Sequence, residues 1–177
     1  EIQRLLTITG VNVTVAVGVM AAIGTIDRFD CARKLVSYFG LNPRVRQSGN
    51  GLARHGRISK AGRSHARAML TEAAWAAAKS PGPLRSFFLR VKAKRGHQIA
   101  AVATARKLAV IIWHMLAKQE EYTWKRPSLV AHKRRSLELQ AGLPARRGGR
   151  KRGPSHAYHV KELRNQELQL AIQAEET

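Results

Sequence analysis

The chain has 177 residues, 44% of them hydrophobic, and its 32 Lys and Arg against 11 Asp and Glu give a formal charge of +21. This length suits one domain of ordinary size with appendages, and the apolar share is enough for a real core. So large a positive excess repels itself in a compact state unless a polyanion neutralises it, which makes nucleic acid the expected partner.

The lone cysteine, Cys31, excludes an internal disulfide, and no Cys/His cluster has zinc spacing; both fit a reducing cytoplasm. The longest apolar run, Val11 to Gly24, is too short and too rich in Gly and Thr to span a bilayer, and it lacks the flanks of a signal peptide. A membrane location is therefore not expected. Because the chain opens on Glu1 in helical pattern, it reads as a fragment or a processed piece.

The predicted elements begin with a short helix closed by Leu5, Leu6 and Ile8, a tight turn Thr9-Gly10-Val11-Asn12, and a helix from Val13 to Ile23. This resembles a helix-hairpin-helix motif, with Thr9 in place of the usual Pro and Asn12 in place of the second Gly. Asn tolerates a left-handed backbone better than other non-glycine residues, so the turn can survive. Gly10 and Asn12 are then candidate DNA contacts, through backbone N–H groups facing a phosphate. The alternative is a buried helical pair that touches no nucleic acid.

Asp27 and Asp30 flank Phe29, and Asp30 is the expected N-cap of a helix from Cys31 to Phe39. Gly40 ends that helix. From Gly40 to Arg67 the sequence is glycine-rich and cationic, and no acidic residue occurs between Cys31 and Thr71. Arg44 to Gln47 alternates and Arg57-Ile58 can return as its partner, giving a short hairpin around Ser48-Gly49. The candidate DNA-binding cations are Arg44, Arg46, Arg54, Arg57, Lys60, Arg63 and Arg67.

Ser59 is the expected N-cap of the following helix, with Ser64 also assigned to capping. Its buried stripe is Ala66, Met69, Leu70, Ala73, Ala74 and Ala77. Ser80-Pro81-Gly82-Pro83 stops it, a helix from Leu84 to Val91 follows, and Lys92 to Arg95 forms a basic turn. His97 to Lys118 is another helix; His97 and His114 have no second ligand at metal spacing. Beyond Tyr122 the sequence reads as a basic tail. Its Arg146 to Pro154 run lacks apolar anchors and is expected to order only on a polyanion, and a helix from about Ala157 to Ala174 closes the chain.

Glu72 is the only acidic residue between Cys31 and Gln119, so a two-metal DNA-cutting site is poorly supported, and no metal ligands are assigned. No Gly-x-Ser-x-Gly elbow exists, and Ser48 has no obvious histidine oriented by a carboxylate. His55 reads as part of the phosphate-facing surface. A serine attacking phosphorus with arginines stabilising the oxygens is the chemistry left over, but spacing alone favours the plainer reading, one serine among many in a DNA-contacting loop.

The order LLTITGV, AAIGTIDRF, ARKLVSYFGLNPRVRQSG, GRISKAG and ATARKLAVIIWHML resembles the C-terminal half of the DEDD transposases of bacterial insertion sequences, the IS one-ten group of bridge-RNA-guided recombinases. The resemblance runs from about Ile2 to Tyr122. It implies that Ser48 is the nucleophile that links covalently to DNA during strand exchange. It also implies a guide RNA, an oligomeric full-length protein, and Mg2+ held by an acidic, RuvC-like half that this chain does not contain.

The expected fold is mainly α: a helix-hairpin-helix-like segment over 1–24, a helical domain with the serine-bearing hairpin over 25–122, and a tail over 123–177. The expected function is DNA transposition in a bacterial cytoplasm, at the nucleoid when bound to DNA, with little activity without the acidic half. The rival readings are a non-catalytic DNA- or RNA-binding module and a polyanion-neutralising structural protein.

Overall fold

Alanine dominates the interior of this chain, and the architecture follows from how closely alanine lets helices approach. The computed structural model describes residues 1–144 and 154–176. Its elements are α1 (Ile2–Leu5), α2 (Val13–Ile23), a 3-10 turn (Ile26–Arg28), α3 (Ala32–Tyr38), β1 (Pro43–Arg46), β2 (Arg54–Ile58), α4 (Ser64–Ala78), α5 (Pro83–Arg95), α6 (His97–Ala117), α7 (Pro127–Gln140) and α8 (Pro154–Glu176). The fold is mainly α, with one two-stranded antiparallel sheet.

The central element is α6, which packs on α3, α4 and α5. Ala101, Ala105, Leu108, Ala109 and Ile112 are essentially inaccessible on it. By length and mean hydropathy alone α6 could cross a membrane, but half of its apolar window is buried within this core. Facing it, α4 buries Ala66, Leu70, Ala73, Ala74 and Ala77, five of the six positions of the expected stripe, with Met69 partly buried. Each fully buried Leu or Ile contributes roughly 1.5–3 kcal/mol against the entropy of ordering it.

Close approach also fixes the first turn. Gly10 has φ +91, and a Cβ there would lie 2.5 Å from the Ala73 carbonyl oxygen and 2.7 Å from the Ala77 amide. Only glycine allows the turn to rest on the backbone of α4. Asn12 differs from the expectation: its backbone is extended (φ −96, ψ −179), and its Oδ1 accepts the Val15 N–H at 2.8 Å. Gly10 supplies the positive φ, so Asn12 is free to act as the N-cap of α2.

Three expected side-chain caps do not form. Asp30 caps nothing: α3 starts at Ala32 behind Cys31, and the Asp30 carboxylate pairs with Lys34 one turn along. Ser59 lies at the end of the hairpin, where its N–H donates to the Asn42 carbonyl at 2.8 Å, and α4 begins only at Ser64 with Arg63 in the cap position. Lys60 and Gly62, both with positive φ, turn the chain in between, so the helix cannot start earlier. Ser64 itself occupies the first helical position, and no side chain caps that end. Lys92–Arg95 is the last turn of α5 rather than a separate basic turn.

Beyond Tyr122, two helices lie against the core. Pro127 occupies the first turn of α7, where its missing N–H costs nothing. Val130 of α7 is buried, and Leu137 packs on the main cluster. The Lys133 ammonium donates to the carbonyls of Leu6 (2.8 Å) and Ile8 (2.7 Å), capping the C-terminal end of α1. Glu167 of α8 accepts from the Ser128 amide at the start of α7, and Glu175 sits 3.5 Å from Arg85 of α5. The basic run 146–153 lies outside the described residues.

Burial pushes the Lys133 amine down to about 8 from its ordinary 10.5, while the two carbonyl acceptors favour the ammonium and oppose that shift. With its folded pKa depressed, the unfolded chain binds this proton more tightly. The cost of burying the charge is therefore present below pH 8 and relieved as pH rises towards 10.5. Urea unfolding of the wild type and Lys133→Met should show the wild type gaining stability relative to the variant across that window. A flat difference would mean that the carbonyls hold the lysine near its ordinary value.

Candidate nucleic-acid interface

The β1–β2 hairpin stands on the junction between α3 and α4. Its register pairs Pro43 with Ile58, Val45 with His55, and Arg46 with Arg54. Between the first two pairs β2 has one more residue than β1, a bulge at Gly56 and Arg57 opposite Arg44. Arg46 and Arg54 are direct cross-strand partners, and both are exposed. Like charges in that relation destabilise a two-stranded sheet, and no carboxylate among the described residues pairs with either. Arg44 and Arg57 are exposed as well, and Arg44 Nη2 donates to the Ser59 carbonyl at 3.2 Å.

Ser48 lies in the loop between the strands. The Gly51 N–H donates to its carbonyl at 3.2 Å, and Gln47 Nε2 donates to the Gly51 carbonyl at 3.1 Å, which closes a tight turn. Gly49 takes φ +56 within it. The Ser48 side chain is exposed, and its hydroxyl has no hydrogen-bond partner among the described residues. Four residues on, Leu52 is 94% exposed, an apolar side chain at the end of a cationic hairpin that sequence reasoning overlooked.

At the base of the hairpin the arginines serve the fold. Arg67 of α4 donates through Nη1 to the Phe39 carbonyl (3.0 Å) and the Lys60 carbonyl (3.3 Å). Arg63 Nε donates to the Tyr38 hydroxyl at 2.7 Å, and its backbone N–H to the Tyr38 carbonyl at 3.0 Å. Gly62, at φ +131, passes so close that a Cβ would lie 2.2 Å from the Tyr38 carbonyl oxygen. Of the candidate DNA contacts, Arg44, Arg46, Arg54, Arg57 and Lys60 thus gather on the hairpin, with Arg63 and Arg67 at its foot. Gly10 and Asn12 belong to a different part of the surface, where Gly10 faces α4.

His97 lies at the start of α6 with its ring edge-on to Trp75 (4.4 Å) and Phe88 (5.3 Å), and His114 stacks edge-on to Trp113. Among the described residues no group of three His, Cys, Asp or Glu comes together. Asp30, Glu121, Glu138 and Glu175 are each paired with a lysine or arginine, and Glu167 with Ser128. These carboxylates do not fit an Mg2+ site of their own.

Residues 2–89 match the family described as Transposase IS116/IS110/IS902 family. That match takes in the hairpin, Ser48 and both supporting helices. Relatives agree over a longer stretch. The transposase for insertion sequence element IS1111A of Coxiella burnetii is 37% identical over 126 residues, 69% of this chain and 34% of its own length. A probable family 20 transposase of Pseudomonas aeruginosa is 34% identical over 126 residues, 69% of this chain and 37% of its own. A putative transposase of Sinorhizobium fredii is 41% identical over 66 residues, 37% of this chain and 17% of its own length. The chain thus spans about a third of the length of the first two of these relatives.

The Arg46–Arg54 repulsion gives a direct test. Arg54→Glu turns it into a cross-strand ion pair, so hydrogen-exchange protection of the hairpin amides should rise. Duplex DNA binding should weaken at the same time, and the slope of log K against log salt should fall by about 0.9 for each phosphate that is no longer neutralised. A variant with a better protected hairpin and unchanged DNA affinity would remove the hairpin from the interface.

Proposed function

We propose that this chain is the serine-bearing part of an insertion-sequence transposase, and that its hairpin grips DNA while Ser48 attacks a backbone phosphorus. The observation that carries the proposal is an exposed serine hydroxyl in a tight turn flanked by Arg44, Arg46, Arg54 and Arg57, which have no anion to neutralise them among the described residues. In the step itself, the Ser48 oxygen forms a bond to phosphorus and a deoxyribose oxygen leaves with a proton. The arginines stabilise the charge that builds on the non-bridging oxygens.

A serine is a weak nucleophile until a base takes its proton. No carboxylate stands beside Ser48 among the described residues, so the base belongs to the acidic half implied by the resemblance, together with Mg2+. The activity is then composite and this part has little of it alone. A guide RNA, assembly of the full-length protein into an oligomer, and action at a bacterial nucleoid complete the reading. The helix–turn–helix of α1 and α2 adds a helix-hairpin-helix-like DNA contact through Gly10 and Asn12.

Ser48→Ala removes one oxygen from an exposed loop, so stability should change by less than about 0.5 kcal/mol and DNA affinity should hardly change. With the full-length protein, labelled donor and target DNA, the protein–DNA adduct that survives a denaturing gel should vanish, as should strand exchange. An adduct that persists in Ser48→Ala would place the nucleophile elsewhere. An adduct absent even from the wild type would favour a non-catalytic binding module.

A further inference from the structure

Beside the foot of the hairpin, three side chains from different elements meet at the surface. Arg28, from the 3-10 turn, places its guanidinium 5.3 Å from the centre of the Tyr38 ring, and Arg63, preceding α4, places its own at 5.6 Å. Arg63 Nε donates to the Tyr38 hydroxyl at 2.7 Å, and Arg28 Nη1 to the Ile23 carbonyl at 3.2 Å. Both arginines are exposed and Tyr38 is half-buried. Neither guanidinium has a carboxylate partner among the described residues, although Asp27 and Asp30 are close in sequence; Asp30 is taken by Lys34.

Two cations held against one aromatic ring, with no carboxylate among the described residues to neutralise them, call for an anion that relieves their repulsion. The geometry points to a phosphate subsite formed by Arg28, Tyr38 and Arg63, which holds one phosphodiester of a nucleic-acid backbone next to the hairpin. The phenol accepts from Arg63, so its own proton is available for a phosphate oxygen, and the remaining N–H groups of both guanidiniums are available for the same anion. The hydrogen bond from Arg63, aided by the charges of both arginines, holds the Tyr38 phenol below its ordinary value, as a strongly donating hydroxyl requires. Arg28 and Tyr38 lie outside the hairpin, so the subsite extends the contact from β1–β2 onto α3. The inference rests on the reading of this chain as a DNA-binding protein and adds residues that reading did not include.

The test is a salt series of duplex DNA binding with the full 177-residue chain. Arg28→Gln should lower affinity about tenfold, as expected for one charge-assisted contact, and reduce the salt slope by about 0.9. Arg28→Lys should restore the slope. Tyr38→Phe keeps the ring and both charges, so it should weaken binding several-fold with the slope unchanged. Arg164→Gln, on the exposed side of α8, removes the same charge elsewhere; a loss of slope there equal to that of Arg28→Gln would reduce the cluster to part of a diffuse field and overturn the subsite. Melting by circular dichroism confirms that each variant folds.

Arg54→Gln separates this inference from the broader one. Loss of slope in Arg54→Gln but not in Arg28→Gln sinks the subsite and leaves the hairpin standing; loss in neither sinks both. The Tyr38 ring resonances should shift on adding duplex. If inorganic phosphate at the same phosphate concentration shifts them as far, the site takes free phosphate and the backbone assignment fails.

Discussion

The clamp made by Arg67 is the interaction on which the functional surface depends. One guanidinium nitrogen reaches the carbonyls of Phe39 and Lys60, and so ties the end of α3, the return from β2 and the first turn of α4 to one point. A two-stranded hairpin is marginal in water by itself. This one also carries the Arg46–Arg54 repulsion, so its footing must supply what its own pairing cannot. Charge-assisted bonds to two carbonyls, the close packing of Gly62 on Tyr38, and the Ser59-to-Asn42 backbone bond provide that footing. The cations further out are thereby left unpaired for a partner.

The arginines thus divide between the fold and the surface. Among the described residues four carboxylates form ion pairs: Asp30 with Lys34, Glu121 with Lys125 and Arg134, Glu138 with Arg135, and Glu175 with Arg85. None of these pairs involves a hairpin arginine. The positive field therefore concentrates where acidic residues are missing, around the serine-bearing turn, which is the arrangement a polyanionic backbone would seek.

Much of the architecture was legible before any coordinates. The spans of α2 and α6, the burial stripe of α4 and the antiparallel hairpin around Ser48 all follow from periodicity and turn residues, because those signals are local. Helix starts were less legible. Asn12, Asp30, Ser59 and Ser64 are all good capping residues by type, and only Asn12 caps. Whether a side chain reaches an N–H depends on where the backbone enters the helix. That is set by Gly10 against α4 in one case, and by Lys60 and Gly62 turning over Tyr38 in another.

By itself, the sequence determined the class and the chemistry on offer: a mainly helical fold, an excess of cations, and a serine among glycines and arginines. It could not say which arginines the fold would engage, since Arg63 and Arg67 have the same composition signal as Arg46 and Arg54. Tertiary structure decided that by bringing Tyr38, Phe39 and Lys60 within reach of two of them. It also decided the place of α7, whose Lys133 reads as one more cation of a basic tail. In the fold that lysine meets two carbonyls more than a hundred residues away, just past the end of a four-residue helix. Hydrogen-bond partners so distant in sequence leave no periodic trace, and only the packed chain brings them together.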